Sequence, residues 1–162
     1  MTCSTPWAFF FSLVIFLGSR NNEFGGTHFM LEKLLQTLCK ELSISPVPEK
    51  NKEKIYLFPF SNTIEVELSD LNPGVGMTCH LLDCPKEKRE DLFIWIMRAN
   101  LLGSGTGGCR IGLDANEKVL TLSLSLAYEI NYSIFKERFE DFVNYVIYWR
   151  EEISHFTQTG SP

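Results

Sequence analysis

From Val119 to Leu126 the sequence alternates with a period of two. Leu120, Leu122, Leu124 and Leu126 fall on one face, Ser123 and Ser125 on the other. Successive side chains of a strand point to opposite faces, so this run buries its leucines only as a strand with one side against a core. The rest of the chain must supply the cover for that side.

Two amphipathic helices are suited to do so. Phe29 to Ile44 places Leu31, Leu34, Leu35, Leu38 and Leu42 at helical spacing, opposite Glu32, Lys33, Gln36, Lys40 and Glu41. Ser45-Pro46-Val47-Pro48 ends it, because proline lacks the donor and restricts its predecessor. Near the C-terminus, Tyr132 to about Phe156 carries Phe135, Phe139, Phe142, Val143, Val146, Ile147 and Ile153 along one stripe, with a polar, frayed tail expected after His155. A third helix is expected to follow Asp83, as its N-cap region, and Pro85, and to run to about Leu102. Leu92, Trp95, Ile96, Ala99 and Leu102 make one stripe of it. Phe93, Ile94, Met97 and Leu101 widen the stripe until the helix is apolar nearly all round. Such a helix is buried on more than one side, and in a small domain the second side suits another subunit.

Between the helices lie strand-like runs: Lys54 to Phe60, Thr63 to Leu68 and Val75 to Leu82, then Cys109 to Leu113 and Lys118 to Tyr128 as a hairpin around Asp114-Ala115-Asn116-Glu117. Asn72-Pro73-Gly74 marks a turn. Pro59 makes the first run an edge strand or a strand end. With Tyr56, Phe58 and Phe60 it is expected to show apolar side chains on both faces, a place where an extended peptide can add. The order is helix, three strands, helix, two strands, helix: an α+β fold, with a twisted antiparallel sheet packed by helices.

Chemistry is sparse. The chain has 162 residues, a net charge of −5 and a pI near 5.2, which argues against nucleic acid. Lys86, Lys88 and Arg89 are diluted by Glu87, Glu90 and Asp91. The five cysteines (Cys3, Cys39, Cys79, Cys84, Cys109) are irregularly spaced and form no CxxC pair. Cys79, His80 and Cys84 are the one candidate metal cluster, but His80 faces away from Cys79 on a strand, so no metal and no cofactor is expected. Gly103-Ser104-Gly105-Thr106-Gly107-Gly108 leaves a helix and enters a strand, the reverse of a phosphate loop, and no GK[ST] follows. The carboxylate pairs Glu65/Glu67, Glu140/Asp141 and Glu151/Glu152 sit on polar faces, and no GxSxG elbow occurs. A catalytic residue is not expected.

Trp7 to Leu17 (WAFFFSLVIFL) stands apart. It is too short for a membrane span, which needs about 20 residues. Residues 1–29 are taken as an extension preceding the domain, since Met30 opens a good helix. A signal or anchor segment remains the alternative, although no Lys or Arg precedes the apolar run. The domain is then expected to span 30–156, with 157–162 as tail.

The second half carries a resemblance. Asn100-Leu101-Leu102-Gly103, Gly107-Gly108-Cys109-Arg110-Ile111-Gly112-Leu113-Asp114, Leu120-Thr121-Leu122-Ser123-Leu124, and Phe135, Phe139, Phe142-Val143, Trp149-Arg150 occur in this order. The combination resembles the class I type III secretion chaperones, the CesT/SycE-like or Tir chaperone family, over Met30 to Ile153. It is also similar to chlamydial members that serve the secretion gatekeeper. The resemblance implies a cytoplasmic, non-enzymatic dimer. Such a dimer binds the N-terminal chaperone-binding segment of a secreted effector or gatekeeper in extended form and keeps it secretion-competent. By element, it implies a dimer interface at Leu92, Trp95, Ile96, Ala99, Leu102, Ile111 and Leu113. It implies cargo contacts at Leu31, Leu34, Leu38, Tyr56, Phe58, Ile64 and Val66. Alternatives are a subunit of a heterodimeric secretion-regulating complex, paired with a second chaperone, or a binding protein anchored to the envelope by residues 7–17.

Overall fold

The computed structural model describes residues 30–159. The segment Trp7 to Leu17 and residues 160–162 therefore lie outside the described residues. Helix α1 (Met30–Leu42) is followed by strands β1 (Tyr56–Pro59), β2 (Glu65–Asp70) and β3 (Val75–Asp83). Helix α2 (Arg89–Asn100) runs into a 3-10 turn at Leu101–Gly103. Strands β4 (Arg110–Leu113) and β5 (Val119–Leu126) and helix α3 (Tyr132–Thr159) complete the order. The five strands form one antiparallel sheet in the order β1-β2-β3-β5-β4. This is the expected α+β fold.

The sheet has one apolar face. Tyr56 and Phe58 of β1, Val66 and Leu68 of β2, Met77 and Cys79 of β3, Ile111 of β4 and Leu120, Leu122 and Leu126 of β5 are all buried. The opposite face carries Glu65, Glu67, Thr78, His80, Thr121 and Ser125, half-buried or exposed. Period-two patterning thus puts most apolar strand positions under the helices, with Leu57 of β1 left facing outward.

Helix α3 supplies the cover. Phe135, Phe139, Phe142, Val143, Val146, Trp149, Ile153 and Phe156 form its buried stripe. Phe139 meets Phe58 edge-on at 5.2 Å between ring centroids. The Arg150 guanidinium donates to the carbonyls of Thr63 at 2.7 Å and His80 at 2.6 Å. It thereby pins α3 to the sheet beside the register shift between His80 and Leu82. Helix α1 buries Leu31, Leu34, Leu35, Leu38 and Cys39. Cys39 takes the place expected for Leu42, which is exposed at the helix end. Glu41 accepts from the Tyr132 hydroxyl and the Lys136 ammonium, joining α1 to α3. Those two donors hold the Glu41 carboxyl below its usual range.

Three boundaries differ from expectation. Helix α2 begins at Arg89, not beside Asp83, because Lys88 takes a left-handed conformation and breaks the path from Pro85. Its regular part ends at Asn100, since Leu102 is also left-handed (φ 56°). Helix α3 continues past His155 to Thr159, as Phe156 packs at 5.3 Å on Trp95 and gives the last turn an anchor. The glycine connection is a joint. Gly107 has φ +58°, and a Cβ there would lie 2.1 Å from the Tyr145 ring.

Phe139→Ala removes a side chain that is 1% exposed and holds α3 to β1. It should cost about 3–5 kcal/mol, read as a lowered denaturant midpoint. The thiols are unequal. Cys39, Cys79 and Cys109 are buried, and burial pushes the thiols of Cys79 and Cys109 up to about 11, so their thiolate fraction near neutral pH is small. Peptide-resolved alkylation of the native protein should label Cys84 well before these three, and equal labelling would count against the packing.

Candidate protein-interaction surface

Helix α2 carries two apolar stripes. Leu92 and Ile96 turn inward and are buried, with Ala99 half-buried beside them. Trp95 stays within the chain, 5.1 Å from Trp149 and stacked on Phe156. The other stripe, Ile94, Met97 and Leu101, repeats at i, i+3 and i+7 and stands in solvent, with Met97 and Leu101 each 65% exposed. Leu102 follows at 97% exposure. A leucine with positive φ costs about 1–2 kcal/mol over right-handed backbone, and its side chain touches almost nothing here. The structure thus carries both strain and wet apolar surface at one point, a combination that marks functional positions.

Of the expected interface residues, Leu92, Ile96 and Ile111 are core; Trp95, Ala99 and Leu113 are half-buried within the protomer; Leu102 is free. Helix α2 thus turns most of the expected residues toward its own protomer and leaves the other stripe open to solvent. The signal was present in the sequence as apolar residues all round α2. Choosing between the two faces requires the direction in which α3 crosses.

The expected cargo residues need a fuller correction. Leu31, Leu34, Leu38, Tyr56, Phe58, Ile64 and Val66 are all buried in the hydrophobic core. The apolar face of an amphipathic helix or an alternating strand is what the chain itself covers first. β1 is an edge strand, as Pro59 indicated. Its apolar residues do not occupy both faces in the expected way, because Tyr56 and Phe58 both point inward. What remains in solvent around it is Leu57, Phe60 and, after β2, Leu71, each 37–40% exposed. Of these three, Phe60 was expected from sequence as part of a peptide-binding edge, and Leu57 and Leu71 were not singled out.

Among the described residues no group of three or more His, Cys, Asp or Glu side chains comes together. Cys79 donates weakly to the His80 carbonyl, and His80 is exposed on the far face. The recess lined by Arg150, Ser154, His155 and Gln158 is open and shallow, and Arg150 is already committed to the sheet. Among the described residues no helix is long and apolar enough to cross a membrane.

Solved structures share this architecture. The chaperone–effector complex of SchA with HopA1 matches with a TM-score of 0.59 at 17% identity, over 76% of this chain and 94% of that one. The ExsC–ExsE complex gives 0.62 at 13% identity, over 75% and 91%. The Yersinia pestis type III secretion chaperone SycH, solved with a fragment of YscM2, gives 0.52 at 16% identity, over 71% and 95%. A Chlamydia pneumoniae protein is 25% identical over 131 residues, 76% of this chain and 96% of that protein. The sequence model of the Tir chaperone protein family matches residues 33–150, most of the described chain. By that match the chain belongs to the Tir chaperone protein (CesT) family.

Proposed function

We propose that this chain is a type III secretion chaperone. It forms a dimer through the outer stripe of α2 and binds the N-terminal segment of a secreted effector or gatekeeper in extended form, without catalysis, in the cytoplasm. The observation that carries this is the wet apolar stripe Ile94, Met97, Leu101 and Leu102. Burying each such side chain is worth about 1.5–3 kcal/mol, so a partner helix has a strong reason to sit there. The architecture it shares with SchA and ExsC, both solved as complexes, supports an effector as partner.

An extended cargo loses about 1–2 kcal/mol of backbone entropy per ordered residue. Only several apolar anchors along a broad surface can offset that, and a dimer offers two copies of that surface. Leu57, Phe60 and Leu71 are the exposed apolar side chains at the β1 end of the sheet, and they are proposed as such anchors. The expected contacts beneath them act indirectly, by fixing the surface from which these project.

The outer stripe of α2 fits a different chaperone chain as well as a second copy. A heterodimer is therefore the second reading, and co-purification of another small acidic protein at one-to-one ratio would favour it. An envelope-anchored protein rests on residues 7–17 alone and would show as membrane fractionation.

Trp95 is the wrong place to probe the interface, because its stacking on Phe156 and Trp149 makes its loss a folding defect. Met97→Asp adds a charge to the outer stripe and removes little core. It should halve the mass seen by light scattering while leaving the far-UV spectrum intact, and an unchanged mass would count against the interface. Leu57→Asp combined with Phe60→Asp should keep the dimer mass and weaken capture of effector N-terminal fragments by at least about tenfold, the loss of two apolar anchors. Undiminished capture would move the cargo elsewhere.

A further inference from the structure

Edge strands expose backbone donors and acceptors that invite another strand to pair. β4 is such an edge, and it lies directly beside α2. In an antiparallel pair, residues alternate between turning both backbone groups toward the neighbour and turning both away. The groups of Ile111 turn away from β5. They do not reach solvent, because the Asn100 side chain takes both. Its Oδ1 accepts from the Ile111 N–H at 2.9 Å, and its Nδ2 donates to the Ile111 carbonyl at 2.8 Å. Two residues earlier the same side is closed again. The Cys109 N–H donates to the Thr106 carbonyl at 3.0 Å, and the fully buried Thr106 hydroxyl donates to the Cys109 carbonyl. After Leu113 the chain turns, with the Asp114 carboxylate accepting from the N–H groups of Lys118 and Val119. The outer edge of β4 is therefore closed at Cys109 and Ile111 by one amide, one hydroxyl and one loop carbonyl.

The opposite edge is closed less fully. Lys50 bridges to Tyr56 along the outside of β1. Asn51 accepts the Ile55 N–H on its Oδ1 at 3.0 Å and gives its own N–H to the Ile55 carbonyl at 2.9 Å. Pro59 has no N–H to offer. At β1 the asparagine closes only Ile55, just before the strand, through its side-chain oxygen and its own backbone N–H.

We infer that Asn100, with Thr106, determines the mode of self-association: it closes β4 to strand pairing, so that a second copy meets this side only through the side chains of α2. This rests on the proposal that a second copy docks at α2, and it adds that the two sheets do not join. Asn100 is suited to this because its amide presents donor and acceptor side by side, as a peptide group does. It sits where α2 ends, next to the exposed stripe, so closure of the edge and display of the apolar surface are set by neighbouring residues.

Hydrogen exchange and light scattering on the full chain test this. In the parent protein the Ile111 amide should exchange slowly at every protein concentration, and equally slowly in Met97→Asp, since its partner lies in the same chain. In Asn100→Ala it should exchange about tenfold faster, the loss of one hydrogen bond, and the mass should climb with concentration beyond that of the parent. Asn100→Asp keeps the acceptor and drops the donor. It should leave Ile111 slow, a separation that a merely structural role would not produce. Thr106→Val opens the Cys109 carbonyl with little change in shape, and serves if Asn100→Ala fails to fold; its mass should also climb with concentration. Faster Ile111 exchange in Met97→Asp would mean that a partner strand covers the edge, and would overturn the inference. So would Asn100→Ala or Thr106→Val keeping the parent mass at every concentration. A monomeric parent would remove the docking at α2 while leaving the Asn100 readouts intact.

Discussion

Everything in the fold leans on one contact, the aromatic stripe of α3 against the single apolar face of the sheet. At about 1.5 Å per residue, its 28 residues run about 42 Å, long enough to meet both other helices and the sheet. Tyr132 and Lys136 hold Glu41 of α1. Phe139 holds β1 through Phe58. Tyr145 abuts the glycine connection at Gly107. Arg150 ties down the carbonyls of Thr63 and His80, and Trp149 and Phe156 clasp Trp95 of α2. A helix that serves as the common floor cannot also be the display surface, and the buried stripe of α3 offers a partner little. The display falls to α2, which α3 holds by one face only.

The sequence made the architecture legible and the surface much less so. Period-two alternation in β5 and 3.6-residue spacing in α1 and α3 each point to one buried face, and each was buried there except at Leu42 and Ile147, which are exposed. The order of elements followed, because proline and glycine punctuate it at Pro46, Pro59 and Gly103. The helix ends were harder. Lys88 and Leu102 take left-handed backbone without being glycine, and nothing in a leucine or lysine announces that. The last turn of α3 is kept by a tertiary contact from Trp95, outside the reach of local propensity.

Contact residues fail for a different reason. Apolar side chains are both what a core needs and what an interface shows, and patterning ranks them by regularity. The most regular positions, such as Leu34, Phe58 and Val66, go to the core. Those left in water include the second stripe of α2, and Leu57 and Phe60 in and just after β1. Sequence shows that a surplus exists on α2. Only the crossing of α3 says which side carries it. The edge closure at β4 is less visible still, since Asn100 is an ordinary helix-end residue until its amide is seen to stand in for a peptide group.

Leu102 carries a consequence for a protomer on its own. Its backbone is left-handed and its side chain is 97% exposed, beside the open stripe of α2. In this conformation no part of the same chain among the described residues covers that surface. A second copy would cover it, and by mass action the stability of the proposed dimer then rises with its concentration. Newly made chains at low abundance would be the least durable form of the protein, and the pool would firm up as it fills.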